Sequence, residues 1–256
     1  MNINEKLRGI PRINYINLFK SEERSLLLEG TLRFAGVEKI TRHMFDLYDN
    51  CVLKVEGPLA GQLPKSHLGA ITSHLIAIRK WLRETDEPYA IFCEDDLSIE
   101  TVTHWNFTWN EFFNILPEDW DCVQLVQIQE VDFKRMQLQI RGEFDWSACC
   151  YLVTRNYAEK LINERIRDGI FYLDVNSLIP FIEHSIFLGI GKVYTFPIFI
   201  ENVNLPTSTS LSEDFSTIDD EINRNNHIRS HHHVLDWWRS EGQFKNVEDF
   251  KFVNNF

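Results

Sequence analysis

Hydrophobic positions along the chain switch repeatedly between the spacing of a strand and the spacing of a helix. Apolar runs typical of buried strands cover residues 12–19, 37–48, 89–93, 121–128, 147–154 and 192–200. Between these runs, apolar residues recur every three or four positions, which is the spacing of one helix face. The clearest helical stripe consists of Leu68, Ile71, Leu75, Ile78 and Leu82. Strands that alternate with helices predict an α/β domain with a largely parallel sheet.

Turn-forming residues indicate where several of these elements begin and end. Ser21 is an N-cap candidate for the first long helix, and Gly36 is a stop signal for the same helix. Residues 49–64 contain two glycines and two prolines and are predicted to form a loop. Pro197 lacks a backbone N–H and therefore favours an edge position for the last strand.

Composition narrows the class of protein. Hydrophobic residues make up 44% of the 256 residues and charged residues 25%, which is typical of a soluble globular protein. The net charge of −12 argues against a broad nucleic-acid interface, which needs a basic face. No secretory signal and no membrane span are expected, and five cysteines without CxxC spacing indicate buried free thiols. We therefore expect a cytoplasmic protein that has a main domain over residues 1–202 and a polar, helical extension over 203–256 packed on it.

The most informative stretch is YAIFCEDD, in which five apolar residues lead directly into Glu94, Asp95 and Asp96. Ligands of open α/β sheets bind beyond the carboxyl ends of the strands. Clustered carboxylates need a counter-charge, and Mg²⁺ or Mn²⁺ supplies one through the oxygen ligands that it prefers. In an extended segment Glu94 and Asp96 point to one side and Asp95 to the other, so the three need not all hold the metal, and one of them is available for ribose or a backbone amide. The alternative is a solvated turn in which an Asp caps the next helix.

Four other polar residues are candidates for ligand contact. Arg24 lies one turn into the first long helix, where its guanidinium suits phosphate or nucleotide; the alternative is a surface ion pair with a neighbouring glutamate. Asn17, at the end of the first strand, is a candidate for contact with the base. Ser73 and His74 lie on the predicted helix that carries the stripe from Leu68 to Leu82, and His74 falls beside that stripe. A satisfied structural histidine is the alternative for His74.

Several stretches, in this order, are similar to those of family 25 glycosyltransferases, which include lipopolysaccharide-type sugar transferases and collagen galactosyltransferases. The similar stretches are YINLFKSEERSLLL, LPKSHLGAITSHLIAIRKWL, YAIFCEDDL, DWDCVQL, SACCYLVTRNYAEKLI, YLDVNSL and YTFPIFIEN. The resemblance implies a GT-A type fold with a Rossmann-like sheet flanked by helices. It further implies a nucleotide-sugar donor, usually a UDP-hexose, that binds through a divalent cation, Mn²⁺ or Mg²⁺. The function expected is transfer of galactose or glucose to a hydroxyl of a glycan or glycoconjugate, with inversion.

The resemblance also assigns roles. Asp96 is the expected main metal ligand and Glu94 a second, while Asp95, Asn17, Arg24, Ser73 and His74 serve donor binding. An inverting transfer needs a carboxylate that takes the proton of the acceptor hydroxyl; Asp174 is the first candidate, against helix capping, and Asp145 the second.

The internal run SHHHV contains the remaining candidates, because neutral imidazoles bind metals. One of His231, His232 and His233 is expected to contact metal or diphosphate, with His232 as the first choice for a metal ligand. Two other functions stay open. One is a metal-dependent hydrolase or nucleotidyltransferase, which would turn over its nucleotide without an acceptor. The other is a catalytically inactive carbohydrate-binding protein with the same fold, whose binding would not respond to a chelator.

Overall fold

The structure is a computed structural model that describes residues 1–46, 55–56, 65–129, 136–172, 182–205 and 217–252. Its strands are Ile13–Leu18 (β1), Ile40–Phe45 (β2), Val55–Glu56 (β3), Tyr89–Glu94 (β4), Leu97–Ser98 (β5), Cys122–Gln124 (β6), Gln139–Ile140 (β7), Cys150–Thr154 (β8), Ile166–Arg167 (β9), Ile170–Tyr172 (β10), Val193–Thr195 (β11) and Ile200–Glu201 (β12). Its α-helices are Ile3–Lys6 (α1), Glu22–Phe34 (α2), Lys65–Glu84 (α3), Trp109–Asn114 (α4), Arg155–Arg165 (α5), Ile182–Phe187 (α6) and Thr217–Ser240 (α7). Short 3-10 helices cover Glu100–His104, Gly242–Phe244 and Val247–Phe250.

Within the described residues, seven strands form the central sheet in the order β2-β1-β4-β8-β6-β11-β7. β1 is parallel to both β2 and β4, and β11 is parallel to β6. β8 is antiparallel to both of its neighbours, and β7 is antiparallel to β11. The predicted α/β class, with a mostly parallel, Rossmann-like sheet flanked by helices, is confirmed. The reversal of β8 is a feature that periodicity cannot predict, because the spacing of apolar residues is the same in either strand direction.

Both faces of the central sheet are covered, which explains the continuous apolar runs of its strands. In β4, Ile91 and Cys93 belong to the hydrophobic cluster that contains residues of α2, α4 and α7. Ala90 and Phe92 belong to the cluster on the opposite face, with residues of α3, α5 and α6. Because side chains of a strand alternate between faces, this register directs Glu94, the last residue of β4, toward the face covered by α3.

Most predicted elements are present with shorter bounds. Leu68, Ile71, Leu75 and Ile78 are buried along α3, as their spacing predicts. Gly36 follows α2 with a φ of 80°, a conformation that glycine adopts without strain. Ser21 is the N-cap residue of α2, but its side chain makes no capping hydrogen bond. The loop predicted over 49–64 lies outside the described residues except for β3.

The strand predicted over residues 192–200 is two strands that belong to different sheets. β11 ends at Thr195, and β12 pairs with β5 in a separate two-stranded sheet. Pro197 lies between them, where its missing N–H interrupts the ladder. The predicted edge position is also wrong, because β11 lies between β6 and β7.

The C-terminal extension packs on the main domain through α7. The fully buried Trp238 donates a hydrogen bond from Nε1 to the carbonyl oxygen of Pro197 over 3.1 Å. Cys93, Cys122, Cys149 and Cys150 are buried free thiols, as predicted for these positions. In the described part of the chain, every helix is too short or too polar to span a membrane.

Candidate functional site

The carboxyl ends of β1 and β4 meet at one rim of the sheet, because the two strands are neighbours and parallel. Asn17, near the end of β1, donates a hydrogen bond from Nδ2 to Oδ2 of Asp95 over 2.6 Å. The same amide nitrogen lies 3.0 Å from the carbonyl oxygen of Ser21, and Oδ1 accepts from Arg42. The structure thus brings Asn17 to the acidic triplet, where its amide links the end of β1 to the turn after β4.

Arg24 projects from the first turn of α2 into the acidic triplet. Its guanidinium forms ion pairs with Asp95 and, at 3.1 Å, with Asp96. The surface pairing considered as the alternative is absent among the described ion pairs, and Glu22 instead pairs with Arg42. Nε of Arg24 is buried and has no hydrogen-bond partner within the described residues. Arg24 therefore retains one donor for a ligand while it neutralises part of the acidic charge.

Glu94 turns toward the opposite face of the sheet, where it meets α3. Its Oε1 lies 3.2 Å from Nε2 of His74. His74 is completely buried, and its Nδ1 lies 2.8 Å from the hydroxyl of Tyr151 on β8. His74 is therefore a satisfied histidine that also fixes Glu94. Ser73 lies beside it and donates its hydroxyl hydrogen bond to the carbonyl oxygen of Ala70 within α3.

The three carboxylates do not alternate as they would in a continuous strand. β4 ends at Glu94, and Asp95 and Asp96 lie in a turn. Asp96 therefore faces Arg24 together with Asp95, rather than lying on the side of Glu94 alone. The expectation of two separated sides is wrong for Asp96, because strand alternation stops where the strand stops.

Asp96 has the most unusual electrostatic environment of the triplet. Its Oδ1 accepts a hydrogen bond from Sγ of Cys149 over 3.4 Å, and its carbonyl oxygen accepts from the N–H of Asn202 over 2.6 Å. Burial, followed by the charges of Glu94 and Glu201, raises the pKa of Asp96 to about 8, although Arg24 acts in the opposite direction. Negative charge thus exceeds positive charge around this carboxylate.

Glu201, at the end of β12, connects this rim to the C-terminal helix. Its Oε2 lies 2.6 Å from Nδ1 of His227, and its carbonyl oxygen lies 2.8 Å from Nδ1 of His231. Burial lowers the pKa of His227, but the charge of Glu201 outweighs burial and raises it to about 9. His232, the predicted metal ligand, is exposed on α7 and its ring contacts that of His231. His231, another candidate from the same run, does face the site, as does His227, which lies four residues before it on α7.

Of the two candidates for the general base, the structure describes only Asp145. Asp174 lies outside the described residues. Asp145 is buried, and its carboxylate accepts hydrogen bonds from the side chains of Gln127 and Gln129 and from the N–H of Gly142. Through these hydrogen bonds, Asp145 connects the segment that follows β6 to the segment that precedes β8.

The carboxylates of the acidic rim fit a hard divalent cation whose remaining coordination positions are filled by the phosphate of a bound molecule and by water. Over the ranges that the structure describes, no three His, Cys, Asp or Glu side chains are grouped closely enough to hold a metal by themselves. Mg²⁺ and Mn²⁺ in phosphate-processing sites typically use one or two carboxylates and complete their shell with phosphate and water. Two carboxylates suit that arrangement. They are Glu94, whose side chain is 32% exposed, and Asp96, which lies near the carboxylates of Glu94 and Glu201.

Sequence reasoning missed Glu201 and His227, which pair with each other. It also missed Ser147, whose hydroxyl donates to Glu201, and Glu183, which accepts a hydrogen bond from the N–H of Ser147. Glu201 carried a usable signal, since PIFIE passes from apolar to acidic just as YAIFCE does before the triplet. Ser147, Glu183 and His227 carried none, because their proximity depends on the reversed strand β8 and on the positions of α6 and α7.

Comparison with known proteins identifies no family. No family model and no curated protein matches the chain. Among solved structures, the chain is similar to a glycosyltransferase involved in glycosylation of the major capsid of PBCV-1, with 10% identity, a TM-score of 0.41 and coverage of 73% of this chain and 82% of that one. It is also similar to HddC from Yersinia pseudotuberculosis, with 12% identity, a TM-score of 0.35 and 80% of each chain covered. A third similar structure is the inositol-1-phosphate CTP transferase from T. maritima, with 11% identity, a TM-score of 0.33 and coverage of 84% and 77%. These likenesses are too distant to assign a function.

Proposed function

We propose that the protein is a metal-dependent glycosyltransferase of the GT-A type. The donor is a UDP-hexose, most simply UDP-galactose or UDP-glucose, and the acceptor is a hydroxyl of a glycan or glycoconjugate. The reaction is an inverting single displacement. The extension over residues 203–256 belongs to the same functional unit, and the enzyme works in the cytoplasm, including at a membrane surface if its acceptor is lipid-linked.

The observation that carries this proposal is the convergence of the predicted donor-site residues at one rim. Asn17, Arg24, His74 and the triplet come from β1, α2, α3 and the turn after β4, and each contacts another member of the set. Rims at the carboxyl ends of parallel strands are the usual ligand sites of open α/β sheets. A chance solvated turn would not be expected to collect a buried arginine and a buried histidine.

The charge balance supports a cation at this rim. Glu94, Asp95, Asp96 and Glu201 contribute four carboxylates, against which the described structure sets Arg24 and His227. Asp96 and Glu94 would hold Mn²⁺ or Mg²⁺. When bound, such a cation neutralises the charge that develops on the departing diphosphate.

Other residues of the chain would bind the donor, position the metal ligands and accept the proton of the acceptor. Arg24 offers its free Nε to a phosphate oxygen, which strengthens the hold on a charged donor. Asn17 and Asp95 orient each other at the nucleotide side, and His74 keeps Glu94 in place. A carboxylate on the acceptor side takes the hydroxyl proton, for which Asp174 and Asp145 are the candidates from the sequence.

One observation favours a second candidate, a carbohydrate-binding protein without catalysis. Arg24 already pairs with both Asp95 and Asp96, so part of the acidic charge is neutralised without metal. A protein of this kind would bind glycans equally well in the presence of a chelator.

Calorimetric titration with UDP tests the proposal. We expect UDP to bind in the presence of Mn²⁺ and to lose most of its affinity in EDTA. Asp96→Asn should abolish the Mn²⁺ dependence, whereas Asp236→Asn, a change at an exposed position of α7, should not. UDP affinity that is unchanged by EDTA would remove the metal from the proposal, and the absence of UDP binding would overturn the proposed function. Turnover of the UDP-sugar that needs no acceptor would instead identify a hydrolase or nucleotidyltransferase.

A further inference from the structure

Ser147 has a strained backbone conformation beside the candidate site. Its φ of 91° lies in the region that favours glycine. Such conformations persist only where the surroundings hold them, and they concentrate at functional sites. The N–H of Ser147 donates to Oε1 of Glu183 over 2.8 Å, and its hydroxyl donates to Oε1 of Glu201 over 2.8 Å. The strained residue thus binds two carboxylates that come from separate parts of the chain.

Glu183 is the less satisfied of these two carboxylates. Only 8% of its surface is exposed, and its Oε2 has no hydrogen-bond partner within the described part of the protein. Glu201, in contrast, is paired with His227. Burial raises the pKa of Glu183. Leaving a buried carboxylate oxygen without a partner is costly, so such a group needs an explanation in function or in a missing partner.

The position of Glu183 indicates which partner is missing. Ser147 binds Oε1 of Glu183 through its N–H and Oε1 of Glu201 through its hydroxyl, each over 2.8 Å. Glu183 therefore lies beside Glu201 at the acidic rim and reaches it from α6, separately from Glu94 and Asp96 on the β4 side. A carboxylate oxygen with free lone pairs suits a hydroxyl donor, which is the functional group of a sugar acceptor.

We propose that Glu183 is the general base that receives the proton of the acceptor hydroxyl, and that Ser147 is its positioning residue. This inference rests on the proposed function. In the step, the acceptor oxygen forms a bond to the anomeric carbon and its proton passes to Oε2 of Glu183. The bond between that carbon and the diphosphate oxygen breaks, and its electron pair leaves with UDP.

The first test compares Glu183→Gln with Asp145→Asn and Asp174→Asn. UDP release is measured from UDP-galactose and UDP-glucose with methyl glycosides as the hydroxyl donor, and release without a glycoside is subtracted. We expect Glu183→Gln to lower turnover by about 10²- to 10⁴-fold, the range for loss of a general base, with UDP affinity unchanged. Added sodium formate should restore part of the rate to Glu183→Ala. The folded state of Glu183→Gln should be at least as stable as that of the wild type, because a buried unpaired charge is removed.

The outcomes separate the two proposals. An active wild type with an equally active Glu183→Gln variant overturns the role of Glu183 alone. A dominant loss in Asp174→Asn or Asp145→Asn, with formate rescue there, also overturns it. A wild type that neither binds UDP nor releases it from either donor overturns the proposed function and this inference with it.

The second test isolates the backbone of Ser147. Ser147→Ala and Ser147→Gly both remove the hydroxyl, but only glycine accepts the φ of 91° without strain. We expect Ser147→Ala to lower kcat about tenfold through a misdirected N–H, since small displacements in a site cost rate steeply, with KM for the donor unchanged. Ser147→Gly should recover most of that loss. Equal kcat values for the two variants would overturn the positioning role.

Discussion

Nη2 of Arg24 lies 3.1 Å from Oδ2 of Asp96, so the guanidinium of α2 favours the charged form of the carboxyl group whose pKa burial raises most at this rim. Both side chains are largely buried, at 11% and 18% exposure. Burial makes the pair interdependent, because removal of one partner leaves a charge away from water.

Replacement of Arg24 should therefore destabilise the fold. We expect Arg24→Met to lower the free energy of unfolding by about 3 kcal/mol, the usual cost of breaking a buried ion pair. In an Asp95→Asn background the loss should be smaller, since less unpaired charge remains. Urea unfolding measures both. Arg33→Met, at an exposed i,i+4 pair on the same helix, is the control and should change stability by less than about 0.5 kcal/mol. Equal losses at the two arginines would contradict the pairing.

A second prediction concerns the hydroxyl of Tyr151, which lies 2.8 Å from Nδ1 of His74. Tyr151→Phe leaves a buried ring nitrogen without its partner, which costs about 1–3 kcal/mol. Because His74 holds Glu94, we also expect weaker Mn²⁺-dependent UDP binding in calorimetry. Tyr172→Phe, at a half-buried tyrosine on β10, serves as the comparison. Unaltered stability and UDP affinity in Tyr151→Phe would show that the His74 contact is dispensable.

The pair of His227 and Glu201 predicts a loss of stability at alkaline pH. The pKa of His227 is raised to about 9 in the folded protein, above its ordinary value near 6.5. The folded state therefore binds the proton more tightly, and the stabilisation is complete below about pH 6.5 and lost as the pH rises through about 9. Solvent screening limits the effect, since 45% of the His227 side chain is exposed.

Urea unfolding at several pH values between 6 and about 9.5 checks this slope. His227→Gln should reduce the slope, whereas His232→Gln, at the exposed position of the same helix, should leave it unchanged. The raised pKa of Asp96 accounts for a remaining slope below about pH 8. A slope in His227→Gln as steep as that of the wild type would reject the assignment.

The ion pairs and hydrogen bonds of Glu87 should make the stability of the fold sensitive to acid. Burial disfavours its charged form, but hydrogen bonds from Arg12, Lys39 and Trp81 outweigh burial and lower its pKa from 4.5 to about 2. The stabilisation is present above about pH 4.5 and lost as the pH falls toward 2. Glu87→Gln should therefore cost about 2 kcal/mol at neutral pH and almost nothing near pH 2. Thermal unfolding at both pH values measures the difference, and an equal cost at the two would contradict it.

Much of the fold was predictable because its signals are local. The stripe from Leu68 to Ile78 specifies α3, and the run from Tyr89 to Cys93 specifies β4, without reference to any other part of the chain. The site was predictable where it follows a strand directly, as the acidic triplet does. Arg24 was placed near the triplet for a physical reason, since a helix that follows β1 begins at the same rim.

The features of the site that the sequence did not predict depend on contacts between segments that are distant along the chain. The strained Ser147 has an ordinary sequence context, and its conformation follows from the carboxylates that it binds. His227 was passed over for the conspicuous run His231–His233, although the helix turns His227 and His231 toward Glu201 and leaves His232 exposed. Local periodicity could not choose among these histidines, because the direction of α7 is set by packing of Trp238.

The reversed strand β8 has a consequence for how this rim can diversify. Chain that leaves β4 and chain that enters β8 arrive at the same edge from opposite directions, and they bring Asp96 and Cys149 into contact. Changes of length before β8 can therefore alter the surroundings of Asp96 without shifting the register of β4. The segment before β8 and the acidic triplet after β4 can thus vary independently of each other.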